Sequence, residues 1–252
     1  MSTDREFDDL VAAAEAAPIV GWDFSWLDGR ATEARPSWGY SRLVAARLPG
    51  VGALLDIQTG GGEMLASIGP LPPTTVATEP WRPSVPVAAS RLRGLGARVV
   101  AADGPDLPLR SGQFDLVICR HPTATPWPAI ARVLRPGGTF LSQQIGGDNV
   151  EELGEAVRGP RPPGPTRGPA RERAAAEANG LEVVDVREEA LRCVFDDIGA
   201  VVYFLRLVVW IVPGFTVERY RAELRALHDR IRADGRFVAT SHRFLIEARK
   251  PE

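Results

Sequence analysis

The run Leu54-Leu55-Asp56-Ile57-Gln58-Thr59-Gly60-Gly61-Gly62-Glu63 ends an aliphatic strand in an acid and follows it with three glycines before a helix. Glycine at such a turn lets the backbone approach a ligand closely. Two more acids sit in comparable places: Glu79 closes Val76-Ala77-Thr78, and Asp103 with Gly104 follows the aliphatic run that ends at Ala102. A carboxylate at the first place can accept hydrogen bonds from both hydroxyls of a ribose, and an acceptor at the second can meet the exocyclic amine of adenine. A tight turn with nothing bound, or an acid capping a loop, accounts for each piece taken alone. Three acids and a glycine turn at successive carboxyl strand ends point instead to a nucleoside ligand at a sheet edge. GxGxxG does not occur, because Leu65 stands where its third glycine belongs, and this argues against a nicotinamide dinucleotide.

Further along, Cys119-Arg120-His121-Pro122 ends another aliphatic run. His121 is the candidate general base, since its ordinary pKa lies near neutrality. The alternatives are a ring that orders the loop or one that touches the cofactor. Arg120 suits either a ligand anion or a salt bridge. Gln143 and Gln144 bring amides to the same edge, where they orient a polar acceptor or cap loop backbone. Trp22, Trp38 and Tyr40 are candidates to cover the site from an amino-terminal arm, with a helix around Phe204, Val208 and Trp210 as a roof; core packing is the competing explanation for all of them. His228 and His242 are read as structural.

The elements that must position these residues follow from periodicity. Val51–Ile57, Thr74–Glu79, Arg98–Ala102, Phe114–Cys119 and Thr139–Gln144 read as strands alternating with helices that begin near Gly62, Ser84 and Thr125, an order that implies βαβ units and a parallel sheet. A helix over Ala170–Asn179, a strand over Leu181–Val186 and an apolar helix over Phe195–Val212 come next. Val217, Tyr220, Leu224, Leu227 and Ile231 form one helical stripe closed by Gly235, and Arg243–Ala248 is a last strand. Residues 158–173, rich in proline, glycine and arginine, cannot supply a packed face and read as a mobile loop. The expectation is one α/β domain over residues 1–252, with a Rossmann-like, seven-stranded, mostly parallel sheet and helices on both faces. Residues 1–50 form its arm, 51–150 the cofactor-binding half, and 151–252 a second half with the loop and a substrate cap.

LLDIQTGGGE, the acid of VATEP, ADGPDLPL, FDLVICRH and RVLRPGGTFL, taken in order, resemble the successive motifs of class I S-adenosylmethionine-dependent methyltransferases over about Val51 to Gln144. The resemblance implies that Asp56, Thr59, Gly60 and Gly62 surround the methionine portion and sugar. It implies further that Glu79 holds the ribose and that Asp103 with Gly104 flanks the adenine. Gln58 stands where that family usually has glycine, so it either crowds the cofactor or bonds to it; Gln58 and Arg120 complete the cofactor set. GWDFSWLDGR, RPSWGY, SQQIGGDN, FDDIGAVVYFLR and SHRFLIEAR are similar to blocks in a group of bacterial methyltransferases, which implies fold and cofactor but no substrate. Amino-directed nucleic-acid methyltransferases resemble one another in an Asn/Asp-Pro-Pro-aromatic tetrapeptide that is missing here. Base-carbon enzymes use a cysteine beside proline, whereas Cys119 is separated from Pro122 by two residues.

Composition narrows the partners. The 252 residues carry a net charge of −2, which excludes a chain whose main work is coating nucleic acid. The expected acceptor is a small or medium-sized molecule methylated on nitrogen or oxygen. RNA modification through Arg158, Arg161, Arg167, Arg171 and Arg173, and a non-catalytic cofactor- or partner-binding role, are the alternatives. Cys119 and Cys193 show no ligand spacing, so no metal is expected. No leader pattern is present and Ala200–Val212 is too short to span a bilayer, so a cytoplasmic protein without a membrane partner is expected. The oligomeric state is not encoded in any recognisable pattern.

Overall fold

The computed structural model describes residues 3–102, 104, 106–162, 164 and 166–252. Its strands are β1 (Ala31–Glu33), β2 (Ala53–Ile57), β3 (Thr74–Glu79), β4 (Arg98–Ala101), β5 (Phe114–Arg120), β6 (Leu134–Ile145), β7 (Glu182–Phe195) and β8 (Phe237–Arg249). Its helices are α1 (Thr3–Ala16), α2 (Tyr40–Arg47), α3 (Glu63–Ser67), α4 (Ser84–Leu92), α5 (Trp127–Val133), α6 (Glu151–Arg158), α7 (Pro169–Ala178), α8 (Ile198–Leu207) and α9 (Arg221–Asp234). The strands form one sheet in the order β1-β7-β8-β6-β5-β2-β3-β4. Packing divides the chain into two compact units, one from the described residues of Met1–Arg35, Asp148–Thr166 and Ala190–His242, the other from Pro36–Gly147, Arg167–Glu189 and Arg243–Glu252.

The second unit holds the parallel part of the sheet. Strand β2 pairs in parallel with β3 and β5, β3 with β4, and β5 with β6, so the carboxyl ends of all five share one edge; β8 lies antiparallel against β6. Side chains alternate across these strands. Leu54, Leu116 and Leu141 pack with Val44, Leu65 and Leu92 of α2, α3 and α4, while Leu55, Val117 and Phe140 pack with Ile130 and Ala176 of α5 and α7. Strands that are apolar on both faces need helices on both sides, and the continuous aliphatic runs in the sequence reflect that demand. Tyr40 ties two strands together: its hydroxyl lies 3.1 Å from the carbonyl oxygen of Cys119 and 2.9 Å from that of Leu141.

The first unit is built on α1, α6, α8 and α9 around Phe7, Val201, Tyr203, Leu224 and Phe237. Asp197 caps α8, its carboxylate accepting the Ala200 N–H at 2.8 Å and the Arg30 guanidinium at 3.1 Å. Arg206 donates to the carbonyls of Ala14 and Ala17 at the end of α1. This is why an arginine sits in the otherwise apolar α8.

The sheet has eight strands rather than seven. The extra one, β1, is only three residues, Ala-Thr-Glu, too short for an alternating pattern to show, and it pairs antiparallel with the end of β7. Strand β7 also continues to Phe195 through Arg187-Glu188-Glu189, charges that disfavour a strand by composition but are exposed or half-buried there. As a result the apolar helix begins at Ile198 and stops at Leu207, short of the expected Phe195–Val212. Val217 and Tyr220 precede α9, and β8 begins at Phe237, six residues before Arg243. Within 158–173, Arg158 closes α6 and Pro169 opens α7 at a helix start, where a missing N–H costs nothing. Among the described residues, no helix is long and apolar enough to cross a membrane.

Phe140 is fully buried, with its ring edge-on to Trp127 at 5.1 Å. Phe140→Ala is expected to lower the unfolding free energy by about 3–5 kcal/mol. Val184→Ala, at a half-exposed position of β7, is expected to change it by less than about 0.5 kcal/mol in the same denaturant titration.

Candidate active site

The turn after β2 is built by backbone geometry. Gln58 adopts φ 56°, Gly60 63° and Gly62 81°, so three residues in five lie in the left-handed region. A Cβ on Gly62 would meet the Leu92 side chain at 3.0 Å, so packing as well as φ requires glycine there. A Cβ on Gly60 would meet nothing within 4 Å, which leaves an open cradle on that side of the turn. Thr59 hooks the turn to β3 through its N–H, which donates to the Thr78 carbonyl at 2.9 Å.

Two carboxylates lie under the turn. Glu79, only 5% exposed, accepts the Gly60 N–H on one oxygen and the Trp81 N–H on the other, each at 2.8 Å. Asp56 is buried and accepts the Thr59 hydroxyl at 2.7 Å. Burial pushes its pKa up to about 7; the Thr59 hydrogen bond opposes the rise and the Glu79 charge adds to it.

Gln58 explains itself through its side chain. Its Nε2 donates to the Ala124 carbonyl at 2.9 Å, and its Oε1 accepts from the Thr123 N–H at 2.8 Å and hydroxyl at 3.1 Å. The amide therefore braces the glycine turn against the loop that follows β5.

That loop also begins in the left-handed region, with His121 at φ 55°. The turn brings the imidazole back beside β6. Its Nε2 lies 2.8 Å from the Gln143 Nε2, and the Gln143 Oε1 accepts the Trp38 indole N–H, also at 2.8 Å. Burial, then the charges of Arg243, Arg120 and Arg167, push the His121 pKa well below its ordinary value. Gln144 is fully buried; its Oε1 accepts from Arg167 at 2.5 Å, while its Nε2 has no hydrogen-bond partner among the described residues. Arg167 also donates to the Pro122 carbonyl at 2.5 Å and lies 3.6 Å from the Glu172 carboxylate.

Residues 55–142 match the sequence model of a family described as a methyltransferase domain. The chain thus contains a stretch similar to a methyltransferase domain, set in a Rossmann-like α/β fold. No curated protein sequence matches the chain. The candidate methyltransferase BH2331 of Bacillus halodurans is 19% identical over 86% of this chain and 99% of its own, with a TM-score of 0.61. YcgJ of Bacillus subtilis gives 19%, 84%, 98% and 0.60 for the same quantities. A phosphoethanolamine N-methyltransferase of Haemonchus contortus, solved with phosphomonomethylethanolamine and S-adenosylhomocysteine, is 16% identical over 85% of this chain and 53% of its own, with a TM-score of 0.50. At these identities the structures speak for the fold alone.

The second unit brings Asp56, Gln58, Thr59, Gly60, Gly62, Glu79, Arg120, His121, Gln143 and Gln144 to the carboxyl ends of its strands. Gly104 follows β4 at φ 63° with open space around its α-carbon, and Asp103 lies outside the described residues. Arg120 is exposed. Trp38 and Tyr40 are buried, so each contributes through its polar atom to Gln143 or to strand carbonyls and not as an exposed cover. Trp22 belongs to the first unit, where it is half-exposed with its ring 5.5 Å from that of Trp210. Cys119 is buried, and burial pushes its thiol well up, against a nucleophilic role. Sequence reasoning named Arg167 only as a candidate phosphate contact and missed Thr123, which lies in a loop with no spacing to mark it.

Two outcomes follow for the methyltransferase domain. Gln58→Ala loses three hydrogen bonds and keeps a left-handed non-glycine residue, whereas Gln58→Gly loses the same bonds and relieves the backbone. The alanine variant is expected to be the less stable by about 1 kcal/mol in denaturant titrations. For Asp56, a folded pKa near 7 above an unfolded value near 3.8 means that the native state holds the extra proton between those values. Stability from this group is therefore full below pH 3.8 and is lost as pH rises to 7. Asp56→Asn is expected to gain about 2–3 kcal/mol relative to wild type on going from pH 5 to pH 8. A pH-independent difference would show that Asp56 is ionised throughout.

Proposed function

We propose that the domain transfers a methyl group from S-adenosylmethionine to a nitrogen or oxygen of a small or medium-sized acceptor. The observation that carries this is Glu79, a carboxylate kept out of water at the tip of β3, with an open cradle at Gly60 beside it. A ribose diol fits that chemistry. The nematode neighbour, solved with S-adenosylhomocysteine, supports the same cofactor. S-adenosylmethionine supplies, when bound, a methyl group activated by a sulfonium. Glu79 would hold the ribose hydroxyls, and Asp56 and Thr59 would order the turn beneath them. The left-handed loop at His121, braced by Gln58, would set the distance and line of approach of the acceptor; such positioning lowers the barrier of an in-line displacement without a proton transfer.

The pairing of the arginine-rich segment supports a small acceptor over RNA. Arg158 and Arg161 share Glu151, Arg167 faces Glu172, and Arg173 lies 3.5 Å from Glu177, so four of the five candidate phosphate contacts have a carboxylate within their own unit. Gln58 ceases to favour a non-catalytic role, because its backbone takes the conformation that a glycine would supply.

Calorimetry tests the assignment. Wild type is expected to bind S-adenosylmethionine and S-adenosylhomocysteine, and Glu79→Ala to lose about 1.5–3 kcal/mol, roughly 10- to 150-fold in Kd. No heat with either compound at millimolar concentration would sink the cofactor assignment, and unaltered binding by Glu79→Ala would sink the role of that carboxylate.

A further inference from the structure

The Trp38–Gln143–His121 chain has only one consistent arrangement of protons. An indole N–H can only donate, so the Gln143 atom facing it is the carbonyl oxygen. The amide nitrogen must then face His121, and it too can only donate. The His121 Nε2 is therefore a bare acceptor, and the single ring proton sits on Nδ1. Trp38 and Gln143 are 7% and 4% exposed, so water does not compete for these bonds. Nδ1 has no hydrogen-bond partner among the described residues, and His121 is only half-buried.

We propose that His121 meets the methyl acceptor as a hydrogen-bond donor through Nδ1–H, directed at an anionic oxygen, with Trp38 and Gln143 as the positioning residues that hold it in that form. This rests on methyl transfer at this sheet edge and names the class of acceptor: a molecule bearing a carboxylate or a phosphate. The lone pair that a general base would use is already spent on Gln143. The charges acting on the ring are all cationic: Arg243 on β8, Arg120 on β5 and Arg167 ahead of α7, the last shared with Glu172. The carboxylates of Asp56 and Glu79 act on Cys119, two residues earlier. Among the described residues the groups acting on the ring are cationic, so an oxyanion beside His121 meets a donor together with positive charge.

The test reads the ring nitrogens of His121 by 15N NMR in the full chain without cofactor. The expected spectrum has Nδ1 protonated and Nε2 bare, unchanged through the pH range in which an ordinary histidine takes up its second proton. Gln143→Glu offers Nε2 a carboxylate oxygen in place of an N–H, so the proton is expected on Nε2 and the midpoint to rise by about one unit or more. If that variant does not fold, Trp38→Phe frees the amide to turn and is expected to give a mixture of ring tautomers. A proton on Nε2 in wild type, or the same titration in wild type and a folded variant, overturns the relay.

Titration with sodium acetate and sodium phosphate at tens of millimolar, against chloride at equal ionic strength, tests the anion. A larger response to acetate assigns a carboxylate and a larger response to phosphate assigns a phosphate. A ring indifferent to both, or equally responsive to chloride, overturns the anionic acceptor. Cofactor calorimetry is measured separately, so its failure removes the methyltransferase assignment without altering the tautomer.

Discussion

A carboxylate withdrawn from water has to be supplied with donors, and Glu79 is supplied by two backbone N–H groups, one from the glycine turn after β2 and one from its own strand's exit. The bond to Gly60 fixes where the turn lies. It requires Gly60 to point its N–H toward β3, which the left-handed φ of 63° provides. Because the donor is backbone, the rest of Gly60 stays clear, and the turn is held open by the same interaction that neutralises the acid's need for partners. Charge-assisted bonds of this kind are worth about 1.5–3 kcal/mol each. That is enough to hold a loop of three glycines, which would otherwise keep much of its conformational freedom.

A second bracing system runs across β2 and β5, whose ends pair at Ile57 and Cys119. Just beyond each end, a non-glycine residue takes a left-handed backbone, Gln58 on one strand and His121 on the other. Such residues cost about 1–3 kcal/mol and persist only where neighbours hold them. Gln58 is held by three hydrogen bonds to Thr123 and Ala124, within the loop that His121 begins. His121 is held by its own N–H, which donates to the Gln143 carbonyl at 2.7 Å, and by the side-chain contact to the same residue. The two loops thus stabilise each other's strain, and a shift in one is transmitted to the other through a single amide.

The parallel strands from Ala53 to Ile145 were legible because most are buried on both faces, the edge strand β4 excepted, and so read as aliphatic runs ended by a glycine, an acid or a charged loop. The same property located the edge and its residues. β1 was not legible, since three residues carry no period, and the middle of β7 was hidden by charges that its surroundings tolerate. Gln58 read as an anomaly for a similar reason: the sequence shows the side chain but not the φ, and only the pair together make sense. The His121 tautomer depends on Trp38 and Gln143, residues 83 positions before and 22 after it in the chain, and no local pattern joins them.

The edge that results is electrically lopsided. Asp56 and Glu79 place acids at the tips of β2 and β3, while Arg120, the Arg167–Gln144 pair and Arg243, which pairs with Ile145, place donors around the ends of β5 and β6. Desolvating either cluster alone is costly, which is visible in the opposite directions in which Asp56 and His121 are pushed, the first toward its neutral acid and the second toward its neutral base. Both displacements lower the charge that the edge must bury. A cation arriving over the acids would favour the ionised Asp56, and an anion arriving beside His121 would strengthen its hydrogen bond without needing a proton from it. The arrangement therefore suits two ligands of opposite charge, drawn to adjacent positions and held in line by loops that are already braced.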